Sequence, residues 1–261
     1  MFGQHLANRW EVAKLALAMR YAEPSIIEAL CEFVFAPSEQ WDLTVFGRFD
    51  ANLQGRLPHR DQIEVMALNV RNLGAGIEQA MAREPRVRFF SSDRTRLAQV
   101  GTNLLSANVL PPYPHWPEFR SFILECLRAY IEAARPSKID RMTLRYIDRL
   151  SPDGQGDFRL GDWVEAGSTY VPRFLVDSST TATSRVQKSV GGGTEVVSVV
   201  LQADDEGRPF VVLDTELVTN DVSLDPEVVG ERLDVLHRRV TEVFEACITD
   251  KTRALLKPEA P

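Results

Sequence analysis

The sequence predicts an α+β fold: a large, mostly antiparallel sheet carrying two long amphipathic helices, about 117–135 and 226–247, and a shorter helix, about 39–53. Three observations predict it. Many short segments alternate apolar and polar residues with a period of two. Two stretches instead repeat apolar residues at helical spacing. The strands come in groups, each followed by a long helix, without a βαβ rhythm.

Taken in order, "RWEVAKLALAMR" (9–20) has helical propensity and ends before Pro24, which disfavours helix at Glu23. "SIIEALCEFVFAP" then alternates, with Ile27, Ala29, Cys31, Phe33 and Phe35 on one face, and Pro37 ends the strand. Ser38 is placed to cap the helix over 39–53, whose Trp41, Val45 and Phe49 recur at near-helical spacing. "QIEVMALNVR" reads as a second strand and "GAGIEQAMAREP" as a glycine-rich loop or short helix. "RVRFFSSDRTRLAQVGTNLLSANVL" reads as a meander, with strands near 86–91, 95–101 and 103–110.

After the proline-rich "VLPPYPHW", Pro117 suits a first helical position, and Phe119, Ile123, Cys126, Leu127 and Tyr130 form one stripe. Pro136 stops that helix, "KIDRMTLRYIDRL" returns to alternation, and "SPDGQGD" is a turn or loop. "VPRFLVD", "TATSRVQKSV", "TEVVSVVLQ" and "PFVVLDTELV" follow as strands, with "GGG" and "DDEG" as hairpin connections. Asp225 at the cap and Pro226 at the first position open the last helix, with Val229, Leu233, Leu236, Val240, Val243, Phe244 and Cys247 on its buried side.

Composition narrows the function classes. Of 261 residues, 44% are hydrophobic and 26% charged, which is ordinary globular usage. The net charge of −7 argues against nucleic acid as a partner. No run of about 18 apolar residues predicts a membrane span. Cys31, Cys126 and Cys247 are odd in number and far apart, which predicts reduced, buried thiols and a cytoplasmic setting. His5, His59, His115 and His237 are scattered, and no phosphate-binding loop, HExxH or GxSxG is present, so no cofactor, metal set or catalytic residue is expected.

Two patterns remain as candidate sites. In "RMTLRYIDRL" the period of two puts Arg141, Thr143, Arg145, Ile147 and Arg149 on one face and Met142, Leu144, Tyr146, Asp148 and Leu150 on the other. In "FVVLDTELV", Asp214 and Glu216 share a face, and Arg86 and Arg88 repeat likewise on "RVRFF". Arginine's planar fork suits phosphate or carboxylate, so Arg141, Arg145, Arg149, Asp214 and Glu216 form a candidate anion face. The plain alternative is a solvated sheet face with cross-strand ion pairs. Tyr113, His115 and Trp116 form either an aromatic binding wall or a rigid corner between strand and helix, the corner being the simpler reading because proline presets φ.

"IIEALCEFVF", "VGTNLLSANVLPPYPHW", "LRYID", "VVLDTEL" and "VFEACITDKTRALL" follow in the order seen in a sporadically distributed bacterial family of proteins of roughly this length, which the chain resembles from Tyr21 to Leu256. Many members of that family carry Asn in place of Asp148. The resemblance implies no catalytic residue, and the sporadic distribution implies mobile or defence-associated gene sets. Members begin just before the first strand, so residues 1–18, including Trp10 and Leu15, are expected to be a loosely attached upstream extension and 19–261 a single α+β domain.

The functional expectation is a cytoplasmic binding or regulatory module without catalytic residues. Its partner would be another protein, a second copy of the chain, or an anionic small molecule. The alternative is a Mg²⁺-dependent phosphohydrolase or nucleotide-binding enzyme in which Asp214 and Glu216 hold the ion.

Overall fold

The computed structural model describes residues 20–38, 41–72, 77–151, 159–165, 182–204 and 206–259. The expectations for residues 1–18, for a turn or loop at "SPDGQGD" beyond Ser151 and for a strand at "VPRFLVD" lie outside them. Among the described residues nine strands form one sheet: β1 (Ile26–Phe35), β2 (His59–Asn72), β3 (Ile77–Phe90), β4 (Arg96–Gly101), β5 (Leu104–Val109), β6 (Ile139–Leu150), β7 (Ala182–Val190), β8 (Gly193–Ala203) and β9 (Pro209–Val222). The helices are α1 (Thr44–Asn52), α2 (Trp116–Ala134), α3 (Pro226–Cys247) and α4 (Asp250–Leu256), with a 3₁₀ turn at Leu160–Asp162. The strand order is β2-β3-β4-β5-β1-β6-β9-β8-β7. The registered ladders β2–β3, β3–β4, β4–β5, β7–β8 and β8–β9 are all antiparallel. The α+β architecture with a large antiparallel sheet is therefore the one the sequence predicts.

The chain divides into two compact units: a first unit of residues up to Ala29, Thr143–Thr219 and Glu231 onward, and a second of Leu30–Met142 and Asn220–Gly230. In the first unit Leu150, Val199, Leu201, Val211 and Leu213 from β6, β8 and β9 pack with Trp163, Ile248 and Leu256 into one apolar cluster. Alternation explains why these residues face inward together. The segment around Tyr21 runs against the C-terminal end, with Ala22 N donating to Lys257 O at 3.0 Å and Glu259 N to Arg20 O at 2.8 Å.

In the second unit β1 sends Cys31, Phe33 and Phe35 inward, and the Phe35 ring stacks on Tyr130 of α2 at 4.4 Å. The predicted stripe of α2 is buried in full: Phe119, Ile123, Cys126, Leu127 and Tyr130. Gly230, in the first turns of α3, lies so close to Arg120 of α2 that a Cβ there would sit 2.5 Å from the guanidinium Nη2.

Four local expectations change. Residues 77–85 are strand rather than loop or helix, because β3 pairs with β2 along its whole length, from His59 with Phe90 to Asn72 with Ile77. Tertiary pairing here overrides the helical propensity of Ala, Met and Glu. The first helix starts at Thr44 rather than 39, and Asp42 rather than Ser38 supplies the side-chain oxygen at its start, accepting from Thr44 N at 2.8 Å. The chain also forms α4 after the predicted last helix, capped by Thr249, whose side chain accepts from Thr252 N. Cys247 is only half-buried, whereas Cys31 and Cys126 are buried as expected. Among the described residues no helix is long and apolar enough to cross a membrane.

Candidate functional site

The charged face of the first unit is built by alternation. β6 buries Leu144, Tyr146, Asp148 and Leu150 and leaves Arg145, Ile147 and Arg149 on the other side. β9 buries Val211, Leu213, Thr215 and Leu217 and leaves Asp214 and Glu216 partly open. Arg145 grips Asp214 with a two-pronged fork, Nε to Oδ1 at 2.8 Å and Nη2 to Oδ2 at 2.7 Å. Hydrogen bonding to Asp214 raises the guanidinium's proton affinity against the opposing pull of burial, and the charges of Asp214, Glu216 and Glu28 add to it.

The fork belongs to a row that crosses four strands. Arg185 on β7 lies opposite Ser198 on β8, which lies opposite Asp214 on β9, and Arg145 on β6 closes the row. Arg185 donates to the Ser198 hydroxyl at 3.3 Å and stands 3.7 Å from Glu216. Arg149 is exposed; its guanidinium carbon lies 4.0 Å from the centre of the Phe210 ring, and its Nε donates to Ser151 Oγ at 3.2 Å. Four of the five residues of the predicted anion face thus occur in this unit, and three of them are linked through ion pairs with each other or with Arg185.

Arg141 belongs to the second unit, where its Nη2 donates to Glu32 Oε1 at 3.0 Å. The Arg86–Arg88 repeat also lies there, and Arg88 forks onto Asp61 with both bonds at 2.8 Å. Asp214 and Glu216 share a face as expected, but Asp214's two oxygens face the Arg145 fork and Glu216 faces Arg185. Among the described residues no three His, Cys, Asp or Glu side chains converge as a metal set.

The proline corner is in the second unit. Pro111–Pro112 is cis, and His115 opens α2 with φ of 68°. Tyr113 and Trp116 meet the buried Phe119 edge-on at 6.3 and 6.1 Å, and the exposed His115 ring stands 6.3 Å from Tyr113. The three rings named from the sequence are brought together, braced on Phe119, and two of them are half-buried.

Sequence reasoning passed over two buried charged groups of the first unit. Asp148 sits at 3% exposure among the inward residues of β6, and burial pushes its carboxyl up to about 7. The signal was visible: an acid at a position where alternation demands an apolar residue. Glu245 on α3, at 5% exposure, accepts from the Tyr21 hydroxyl at 2.7 Å and from Arg253 Nε at 3.0 Å. Its partners lie 224 and 8 residues away, so no local pattern reveals it.

No family model matches the chain, and the search of curated proteins finds no significant match.

Proposed function

We propose that the protein is a binding module that works by associating with a protein partner, docked on the charged strand face of the first unit. The observation that carries this reading is the Arg145–Asp214 fork. A small anion arriving there would displace a carboxylate already bound through both oxygens and leave it partly buried without a counter-charge. The Mg²⁺-dependent reading meets the same obstacle from the other side, since Asp214 would first have to leave the fork.

A protein partner faces no such exchange, because it adds contacts at the open members of the face. Arg149 stacked on Phe210 and the exposed Arg185 on β7 are of the residue types that carry most of the energy at protein interfaces. The mixed row sets register and rejects wrongly charged surfaces. A net charge of −7 opposes a second copy of the chain and attracts a partner of net positive charge. Its docking surface would carry carboxylates against Arg149 and Arg185. Three free cysteines fit a reducing compartment, and the reading places the module in the cytoplasm.

Thermal unfolding with pyrophosphate or ATP, each with and without Mg²⁺, tests the choice between protein and anion. Any shift is expected to be the same in the wild-type protein and in Arg145→Ala. A rise present in wild type and lost in Arg145→Ala would overturn the reading in favour of an anion site at the fork.

A further inference from the structure

We propose that the second unit holds a separate small-molecule site, a cleft that takes an oxyanion carried on an apolar body. The cleft has a volume of about 410 Å³ and lies between the segment after α1, the middle of α2 and the turn joining β3 to β4. Its floor is apolar: Leu53, Leu57 and Phe122 are each at most 5% exposed. Among the described residues Arg96 supplies its unpaired positive charge and Ser92 a hydroxyl at the rim, while Arg56 is paired with Glu125.

Arg96 is the group that points to an anion. It is half-buried, and its guanidinium carbon lies 6.0 Å from the Phe122 ring centre, the outer limit of a cation–π contact. Among the described residues no carboxylate lies within ion-pair distance of it, whereas Arg88, Arg141 and Arg145 of the sheet each hold one. A planar fork backed by an aromatic ring offers its N–H edge to two oxygens of one group, which favours a phosphate monoester or a carboxylate.

The turn that carries Arg96 is rigid. Ser91 N donates to Arg96 O at 2.9 Å, Arg96 N to Ser91 Oγ at 3.0 Å and Arg94 N to Ser91 O at 2.9 Å. The acids of the cleft are already committed. Asp93 Oδ1 accepts from Ser91 Oγ at 2.6 Å and from Thr95 N at 3.0 Å. Glu125, also in the lining, is tied to Arg56 at 2.5 Å. Asp93 repels an anion from the tip of the turn, so the charged head belongs beside Arg96, with the apolar body over Leu53, Leu57 and Phe122.

Calorimetric titration of the full chain with phenyl phosphate, benzoate, inorganic phosphate and phenol tests this. Phenyl phosphate or benzoate should bind, and which of them binds more tightly tells a phosphate from a carboxylate ligand. Inorganic phosphate, lacking the apolar body, should bind about tenfold more weakly or worse, and phenol, lacking the charge, likewise. Arg96→Gln should weaken binding by about tenfold or more, as should Ser92→Asp, which places a negative charge on an exposed turn position without touching the core. Arg145→Ala should bind as wild type does, which keeps this site distinct from the face of the first unit. The proposal is overturned if neither aromatic anion binds at millimolar concentration, or if Ser92→Asp and Arg96→Gln bind as tightly as wild type.

Discussion

The Ser25 hydroxyl donates to the Asp148 carboxyl at 2.8 Å, on the buried side of β6 in the first unit. Burial raises the acid's proton affinity, the Ser25 hydrogen bond opposes it and the charge of the neighbouring Asp214 adds to it, so that Asp148 takes up its proton near pH 7.

The folded state therefore binds a proton at Asp148 that the unfolded chain releases near its ordinary value of 3.8. Between about pH 4 and 7 this makes stability fall as pH rises, and above pH 7 the full penalty remains. Asp148→Asn should match wild type near pH 4 and exceed it at pH 8 by a few kcal/mol at most, at ~1.4 kcal/mol per pKa unit. His237, whose imidazole burial holds down to about 4, has the opposite slope: its contribution is lost as pH falls from 6.5 towards 4. Asp148→Asn removes the opposing slope, so the variant should destabilise on acidification more steeply than wild type. Urea midpoints from pH 4 to 8 check both, and an Asn variant offset by a constant amount at every pH would contradict the account.

Glu245 joins the segment at Tyr21 to the last two helices through Tyr21 and Arg253. Arg253→Ala should destabilise the protein by about 3–5 kcal/mol, because it leaves a buried carboxylate without its cation. In a Glu245→Gln background the same change should be much milder. Tyr21→Phe should lose about 1 kcal/mol. Equal effects of Arg253→Ala in the two backgrounds, measured by denaturant unfolding, would show that the pair is not coupled.

Two glycines should respond in opposite directions to the same substitution. At Gly193 a Cβ would collide with the carbonyl oxygen of Val218 on the neighbouring strand, so Gly193→Ala should cost about 1–3 kcal/mol. Gly47 lies inside α1 with nothing within 4 Å of an added Cβ, so Gly47→Ala should stabilise by about 0.5–1 kcal/mol. Melting temperatures of the two variants moving the same way would contradict this placement.

Period-two alternation specifies the fold and the face but not the partners within the face. Period two places Arg145 and Asp214 on exposed sides of their strands, because each strand buries one face and the pattern is local. That Arg145 meets Asp214, and that Arg185 and Ser198 extend the row, depends on strand order, which no local pattern contains. β3 is not locally legible for the same reason: "IEQAMARE" has helical propensity, and only its partner β2 makes it a strand. Helix starts marked by Pro117 and by Asp225–Pro226 were legible because proline and a capping acid act within one turn. No local pattern marks Arg96, since its cleft is assembled from three separate stretches of chain.

If the Arg145–Asp214 fork organises the face, the two residues should be energetically coupled. A double-mutant cycle of Arg145→Ala and Asp214→Ala should give a coupling of about 1 kcal/mol, against close to zero for the exposed Arg208–Glu206 pair. A fork coupling indistinguishable from that of Arg208–Glu206 would reduce it to an ordinary surface contact.

The most direct test of the docking face is the affinity of a purified partner for face variants. The partner would first be captured from the native cell with the wild-type chain and then made separately. Its Kd should weaken by about tenfold or more for Arg149→Glu and Arg185→Glu, weaken further with added salt, and stay unchanged for Arg208→Glu. A partner that binds both face variants as tightly as wild type, or no stoichiometric partner at all, would contradict the account.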